Sequence, residues 1–364
     1  MLSKVYFSYI NKKSIKKQSL IRGGSTMQNQ SLILVTGANG FLASHIIKQL
    51  LTAGYAVRGT LRSLDKAAGV QQTLAGTPNL DQLSFVALDL TQEAGWNDAM
   101  QGVTTVMSVA APVFVNQGQA SAAVANAAKD GTLRIMKAAT AAGVKRVVMT
   151  ANLGAVGFSR LDHQRPVTEA DWTKVDQAGL SLYEQSKLVA EQAGWDYQRQ
   201  HPEGPEFTTV NAGAMLGPSL NGHVTGSYNL VNRLLTGQAM PNLVVNVVDV
   251  RDVADLEVRV MAAPEAANQR YLAVAPKPVS MAAIRSLIQQ QRPQLAAKLT
   301  KHLVPDWFVH GLAPFNRQLR EANLMMRLNH DVSIQKAEQL GWQPRTADTA
   351  VLAAVDTLVK NGLK

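Results

Sequence analysis

The segment LILVTGANGFLA at residues 32–43 constrains this chain more than any other. Leu32 to Thr36 is a short, nearly unbroken apolar run, the pattern of a strand covered on both faces. It leads into Gly37, Gly40 and a third small residue, Ala43. Phe41, Leu42, Ile46, Ile47, Leu50 and Leu51 then recur at helical spacing, and Gly54 stops the helix. Strand, glycine-rich turn and helix together make a diphosphate site. Gly37 allows the tight turn, Gly40 lets phosphates approach the backbone, and Ala43 lets helix and strand pack closely. Free N–H groups at the helix start meet the negative charge. A glycine pair alone is an ordinary turn; the strand before it and the helix after it make it a dinucleotide signal.

Four further strands are predicted at Tyr55 to Leu61, Ser84 to Leu88, Val103 to Val109 and Val144 to Thr150. Between them lie a short helix containing Trp96 and an Ala-rich helical stretch ending at Gly143, with Gly118 and Gly131 as possible breaks. Strands alternating with helices imply a parallel sheet with right-handed crossovers. The expected fold is therefore α/β: a Rossmann-type doubly wound parallel sheet with a smaller, discontinuous C-terminal substrate lobe. Residues 27–213 are assigned to the dinucleotide-binding domain, with 243–262 returning to it. Residues 214–242 and 263–364 are assigned to the lobe, whose Gly217-Pro218, Gly222 and Gly226 suit a loop covering a substrate. Val113, Phe114, Met215 and Leu216 are candidate pocket walls.

Composition removes other classes. The chain of 364 residues is 46% apolar and has no cysteine, which excludes a disulfide scaffold, cysteine-bound metal and a thiol nucleophile. The seven histidines show no paired ligand spacing, so no metal is expected. Asp249, Asp252 and Asp255 read as helix capping rather than a calcium site. No apolar run is as long as a membrane span, so no membrane partner is expected. The net charge is +10, but residues 1–26 carry Lys4, Lys12, Lys13, Lys16, Lys17 and Arg22 without an acid. The rest of the chain carries only +4, which gives little support for nucleic-acid binding. Residues 1–26 are expected to be a basic leader, disordered or not normally translated, with Met27 as the start in the latter case. An alternative is a mitochondrial-type targeting peptide. A cytoplasmic enzyme, monomer or homodimer, is the corresponding expectation.

Two arginines and a Tyr–Lys pair carry the chemistry. Dinucleotide folds often place an acid after the second strand to bind the adenosine ribose; here Leu61-Arg62 stands there, with Arg58 inside the strand. A guanidinium suits a 2′-phosphate, which favours NADP, with NAD possible. Tyr183 and Lys187 are four apart in a stretch of good helix formers and share one face. An ammonium near a phenol lowers its pKa, so the pair reads as a general acid and its tuner.

With TGANGFLA (36–43), Asp89-Leu90, AAGVKRVVMT (141–150), YEQSK (183–187) and VDVRDVAD (248–255), the chain resembles the extended short-chain dehydrogenase/reductases, the NAD-dependent epimerase/dehydratase superfamily. GYAVRGTLRS (54–63) and LGWQPRT (340–346) are similar to its dihydroflavonol-reductase and aldehyde/ketone-reductase branch. The resemblance spans residues 31–345. It implies that Tyr183 protonates a substrate oxygen while Lys187 contacts the nicotinamide ribose. It also implies that Gly37, Gly40, Phe41 and Leu42 line the pyrophosphate, Arg62 and Arg58 the 2′-phosphate, and Asp89 and Leu90 the adenine, with Ala110 close to the cofactor. Two departures stand out. Asn152 occupies the position of a usual Ser or Thr, offering an amide donor but no hydroxyl. Thr150, two residues earlier, is expected to point away if the strand continues. The usual Asn-Pro is Asn211-Ala212, with an effect expected mainly on backbone stiffness.

The expected function is an NADP(H)-dependent oxidoreductase that reduces a small or medium apolar aldehyde or ketone. A nucleotide-sugar epimerase or dehydratase on the same fold is a second reading, disfavoured by Leu61-Arg62. A nucleotide-binding sensor or interaction protein with weak catalysis is a third, supported only by Asn152.

Overall fold

The computed structural model describes residues 31–110 and 121–362. The strands of its main sheet are β1 (Leu32–Val35), β2 (Ala56–Leu61), β3 (Leu83–Ala87), β4 (Val103–Ser108), β5 (Arg146–Asn152), β6 (Glu206–Ala212) and β10 (Arg270–Ala273). They lie in the order β10-β6-β5-β4-β1-β2-β3, and every pairing is parallel. Two short pairs complete the strands. β7 (Ala214–Leu216) runs parallel to β9 (Val247–Asp249), and β8 (Val244–Val245) antiparallel to β11 (Val279–Ser280).

The helices are α1 (Phe41–Thr52), α2 (Ala67–Thr73), α3 (Trp96–Met100), α4 (Ser121–Ala141), α5 (Gly154–Gly157), α6 (Leu182–Gln200), α7 (Tyr228–Leu235) and α8 (Val250–Ala262). Beyond them come α9 (Met281–Gln291), α10 (Asp306–Leu312), α11 (Arg317–Met326), α12 (Gln335–Gln339) and α13 (Ala347–Lys360). Among the described residues no helix is long and apolar enough to cross a membrane.

Both sheet faces are covered, which is why the strands read as apolar runs. Along β1, Ile33 and Val35 enter one core and Leu34 the other. Along β5, Val148 faces the first core, with α1 and α8, while Val147 and Met149 face the second, with α4 and α6. The strand order reverses between β1 and β4, so the glycine turn after β1 opens into the crevice such a switch point creates.

Three local features differ from expectation. β5 begins at Arg146 and extends through Asn152, in register with Ala212 of β6. α4 runs unbroken through Gly131, while Gly118 and the candidate walls Val113 and Phe114 lie outside the described residues. β10, within the stretch assigned to the lobe, forms the edge of the main sheet, because a four-residue run is too short to display a period.

Residues 1–26 also lie outside the described residues. The first core continues from α1 and α8 into Tyr228, Leu234, Ile284, Trp342 and Val351, so the C-terminal segments pack directly on the sheet layer.

A buried ion pair ties β10 to α6. The Arg270 guanidinium donates to Glu191 at 2.8 Å and to the Glu169 and Asp171 carbonyls, each at 2.8 Å, and lies 3.7 Å from the Trp172 ring centroid. Glu191 also accepts from Asn211 at 2.7 Å. Removing the cation leaves a buried carboxylate without its charge partner. Arg270→Met is expected to cost about 3–5 kcal/mol, read as a lowered unfolding midpoint in urea. An unchanged midpoint would show that the pair contributes nothing to stability.

Candidate active site

The glycine turn is held from two sides. Thr36 Oγ1 accepts from the Val109 and Ala110 N–H groups, both at 2.9 Å, and the Gly37 N–H donates to Thr60 Oγ1 at 3.0 Å. Gly37 has φ +69°, and a Cβ there would stand 2.8 Å from the Ala110 Cβ, so conformation and space both call for glycine. Gly40 precedes α1 in extended conformation and leaves the helix's first N–H groups at the turn.

A cleft of about 480 Å³ opens above this turn. Gly37, Gly40, Phe41, Leu42, Arg62, Asp89, Leu90, Ala110, Tyr183 and Lys187 all line it. Thr91 donates twice to Asp89, through its N–H at 2.9 Å and its hydroxyl at 2.8 Å. These bonds, with the nearby Arg62 charge, hold the Asp89 carboxyl below its usual range despite some burial.

Lys66 also lines the cleft and was missed in the sequence. It ends a short 3₁₀ turn, Leu64–Lys66, capped by Ser63, and shares the lining of the cleft with Arg62. The four-residue spacing from Arg62 was the available signal.

Arg58 is a correction. Its guanidinium donates to the carbonyls of Asp98, Ala99 and Gln101 at 3.2, 2.9 and 2.8 Å, and it is not among the cleft-lining residues. It caps the C-terminal end of α3, where unpaired carbonyls attract a cation.

A second chamber, about 370 Å³, adjoins the cleft. Thr150, Tyr183, Lys187, Met215 and Thr225 line both spaces, so the Tyr–Lys pair stands at their junction. The chamber walls are largely apolar, with Phe158, Leu230, Val245, Met325 and Leu328, and Asn152, Asn246 and His330 are among the polar groups. Leu216, a candidate wall, is instead fully buried in the core.

The pair takes its position from the start of α6. Ser181 caps the helix and exchanges hydrogen bonds with Glu184 in a reciprocal capping box. Tyr183 then falls in the first turn and Lys187 in the second. Tyr183 is 41% exposed and Lys187 only 9%, so the phenol stands at the mouth and the ammonium at the back.

Asn152 ends β5. Its Oδ1 accepts from the Gly154 N–H at 2.6 Å, its carbonyl accepts from Asn211 Nδ2 at 3.2 Å, and its side chain lies near enough to Tyr183 to favour the phenolate. With Oδ1 engaged by Gly154, Nδ2 is the end offered to the phenol and the chamber. A Cβ at Gly154 would stand 2.7 Å from Asn152 Oδ1, so the glycine keeps room for that arrangement. Asn211 joins the Asn152 carbonyl to Glu191 of α6.

Thr150 does not point away from the site. In a strand running through Asn152, residues two apart share a face, and both border the chamber. Its hydroxyl donates to Glu257 at 2.6 Å.

Electrostatically the site disfavours charge. Burial pushes the Tyr183 phenol above its ordinary pKa; the Asn152 side chain opposes this and the Glu184 charge adds to it. The expected lowering by Lys187 is therefore corrected: desolvation dominates. Burial lowers Lys187 to about 8, with Glu257 opposing, and raises Glu184 to about 7.

Residues 33–274 match the NAD dependent epimerase/dehydratase family. The chain belongs to that family and is an enzyme of the oxidoreductase class. It is 35% identical over 248 residues to cinnamoyl-CoA reductase 1 of Arabidopsis thaliana, covering 66% of this chain and 70% of that protein. It is 32% identical over 262 residues to dihydroflavonol 4-reductase of Zea mays, covering 68% and 71%. Its fold is similar to the crystal structure of Gre2 in complex with NADPH from Candida albicans, with TM-score 0.76, 24% identity, and 91% and 99% of the two chains covered.

The corrected place of Arg58 has a direct check. Arg58→Gln is expected to lower thermal stability, by about 1–3 kcal/mol from the carbonyls left unpaired, while dinucleotide affinity stays within about twofold. A selective loss of affinity measured by fluorescence titration would return Arg58 to the site.

Proposed function

We propose that this enzyme reduces the carbonyl of a small or medium apolar aldehyde or ketone to an alcohol, with NADPH as hydride donor and Tyr183 as proton donor. The observation that carries the proposal is the junction: a cleft beside the glycine turn and an apolar chamber share Tyr183, Lys187 and Thr150.

The residues present fit a dinucleotide. Gly37 holds a left-handed conformation with no room for a side chain, and the start of α1 offers N–H groups to a diphosphate. Arg62 and Lys66 line the same cleft and suit a 2′-phosphate, in place of the acid that would favour NAD and a sugar epimerase. The bound nucleotide supplies the hydride. Lys187 is placed to hold the nicotinamide ribose beside Tyr183, in keeping with the family resemblance.

Tyr183 gives its proton to the substrate oxygen. Its raised pKa keeps the phenol protonated until then. An alkoxide forming as hydride arrives is a much stronger base than a phenolate, so the transfer needs no acidified phenol. Nδ2 of Asn152 donates toward the phenol oxygen and leaves the O–H free to face the substrate. The chamber's apolar walls favour a carbonyl compound with an apolar body.

Two substitutions test separate parts of this mechanism. Tyr183→Phe is expected to lower kcat for NADPH-dependent aldehyde reduction by about 10²–10⁴-fold; unchanged turnover would remove the proton donor. Arg62→Ala and Lys66→Ala are each expected to raise the NADPH Kd by about 10–100-fold and leave the NADH Kd nearly unchanged. Equal losses for both nucleotides would remove the 2′-phosphate assignment.

A further inference from the structure

We propose that Glu257 is a positioning residue of this site: a buried carboxyl on α8, oriented by Thr150 at the junction, that acts through Lys187 by sharing in its titration. This rests on the role given to Lys187 above.

The geometry is unusual for a helix core. Glu257 is completely buried and lies on the side of α8 that carries Val253, Leu256 and Val260 into the core. One oxygen accepts from Thr150 at 2.6 Å; the other is buried with no hydrogen-bond partner among the described residues. An acid so placed is costly unless something compensates.

The charge that acts on Glu257 is the Lys187 ammonium, and the charge that acts on Lys187 is Glu257. Burial raises the carboxyl to about 8 and lowers the ammonium to about 8, and each is partly restored by the other. Their titrations are therefore linked.

Other charged groups on and around α8 are engaged elsewhere or exposed. From β5 and β6, Arg146 bonds Glu206 and the Val260, Met261 and Ala263 carbonyls. From β10, Arg270 bonds Glu191. From α1, His45 bonds the Pro218 carbonyl, and Lys48 is exposed, as is Glu265 of the following turn. Asp249 at the end of β9 pairs with Arg251; on α8, Asp255 pairs with Arg259 and Asp252 with Arg345. Glu257 has Thr150 as its hydrogen-bond partner, and Thr150 borders both spaces together with Lys187.

The test is thermal melting of the full chain without nucleotide from pH 5.5 to 9.5. Glu257→Gln keeps the shape and an acceptor for Thr150. In the wild type the folded carboxyl retains a proton that the unfolded chain has released, from its ordinary 4.5 up to about 8. Wild-type stability therefore falls with pH across that window through this group, and the Gln variant escapes the fall. Its melting temperature relative to wild type is expected to climb by a few degrees between pH 5.5 and 8. Thr150→Val removes a bond that favours the carboxylate, so its relative melting temperature is expected to drop above pH 8, which keeps the test usable if the Gln variant folds poorly. Glu257→Gln and Lys187→Met should be non-additive at pH 7. Differences that do not change with pH, or additive effects, would overturn the pairing.

In turnover, Glu257→Gln is expected to move the basic limb of kcat/KM acid-ward by about one pH unit, with Glu257→Asp restoring part of the shift. A merely structural role would scale the rate without moving the limb. The melting curves report on the pair alone, and Tyr183→Phe turnover reports on the proposed reaction, so one can fail without the other.

Discussion

The reciprocal hydrogen bonds between Ser181 and Glu184 fix the first turn of α6, and Tyr183 and Lys187 take their places from it. A shift of one residue would rotate each side chain by about 100° around the helix and separate both from the junction. The same few residues position Asn152 indirectly. Glu191, nearly three turns along α6 from Ser181, holds Asn211, and Asn211 holds the Asn152 carbonyl at the end of β5. α6 and the end of β5 are thus joined by short polar links.

Those links have an electrostatic consequence. Glu184 is held by the cap close to the phenol, and partial desolvation there raises its own pKa and that of Tyr183. Lys187 and Glu257 are also driven toward their neutral forms. A site whose groups resist ionisation makes each arriving charge count strongly, because screening is weak there. Diphosphate and developing alkoxide would be the charges that matter, met by the α1 terminus, Arg62 and Lys66 on one side and by Asn152 and Tyr183 on the other.

Much of this was legible in the sequence because it depends on local pattern. The glycine turn, the five early strands and the Tyr–Lys spacing are encoded within a few residues each, and the structure places them around one cleft. What was not legible depends on distant contact. Arg58 has the right residue type in the right strand, yet its guanidinium caps α3 some 40 residues away. Glu257 sits in a stretch whose aspartates read as helix capping, and nothing nearby announces Thr150 as its partner. The direction of the Tyr183 shift depends on burial, which a neighbouring lysine four residues on does not reveal. Thr150 was misjudged for a simpler reason: a strand's period of two puts it on the same face as Asn152.

The most direct measurement is a crystal structure of the protein with NADP⁺ bound. The account predicts the diphosphate against Gly37 and Gly40, the 2′-phosphate beside Arg62 and Lys66, and the nicotinamide ring at the junction next to the Tyr183 hydroxyl. A nicotinamide ring lying away from residue 183, or a nucleotide seated outside this cleft, would contradict it.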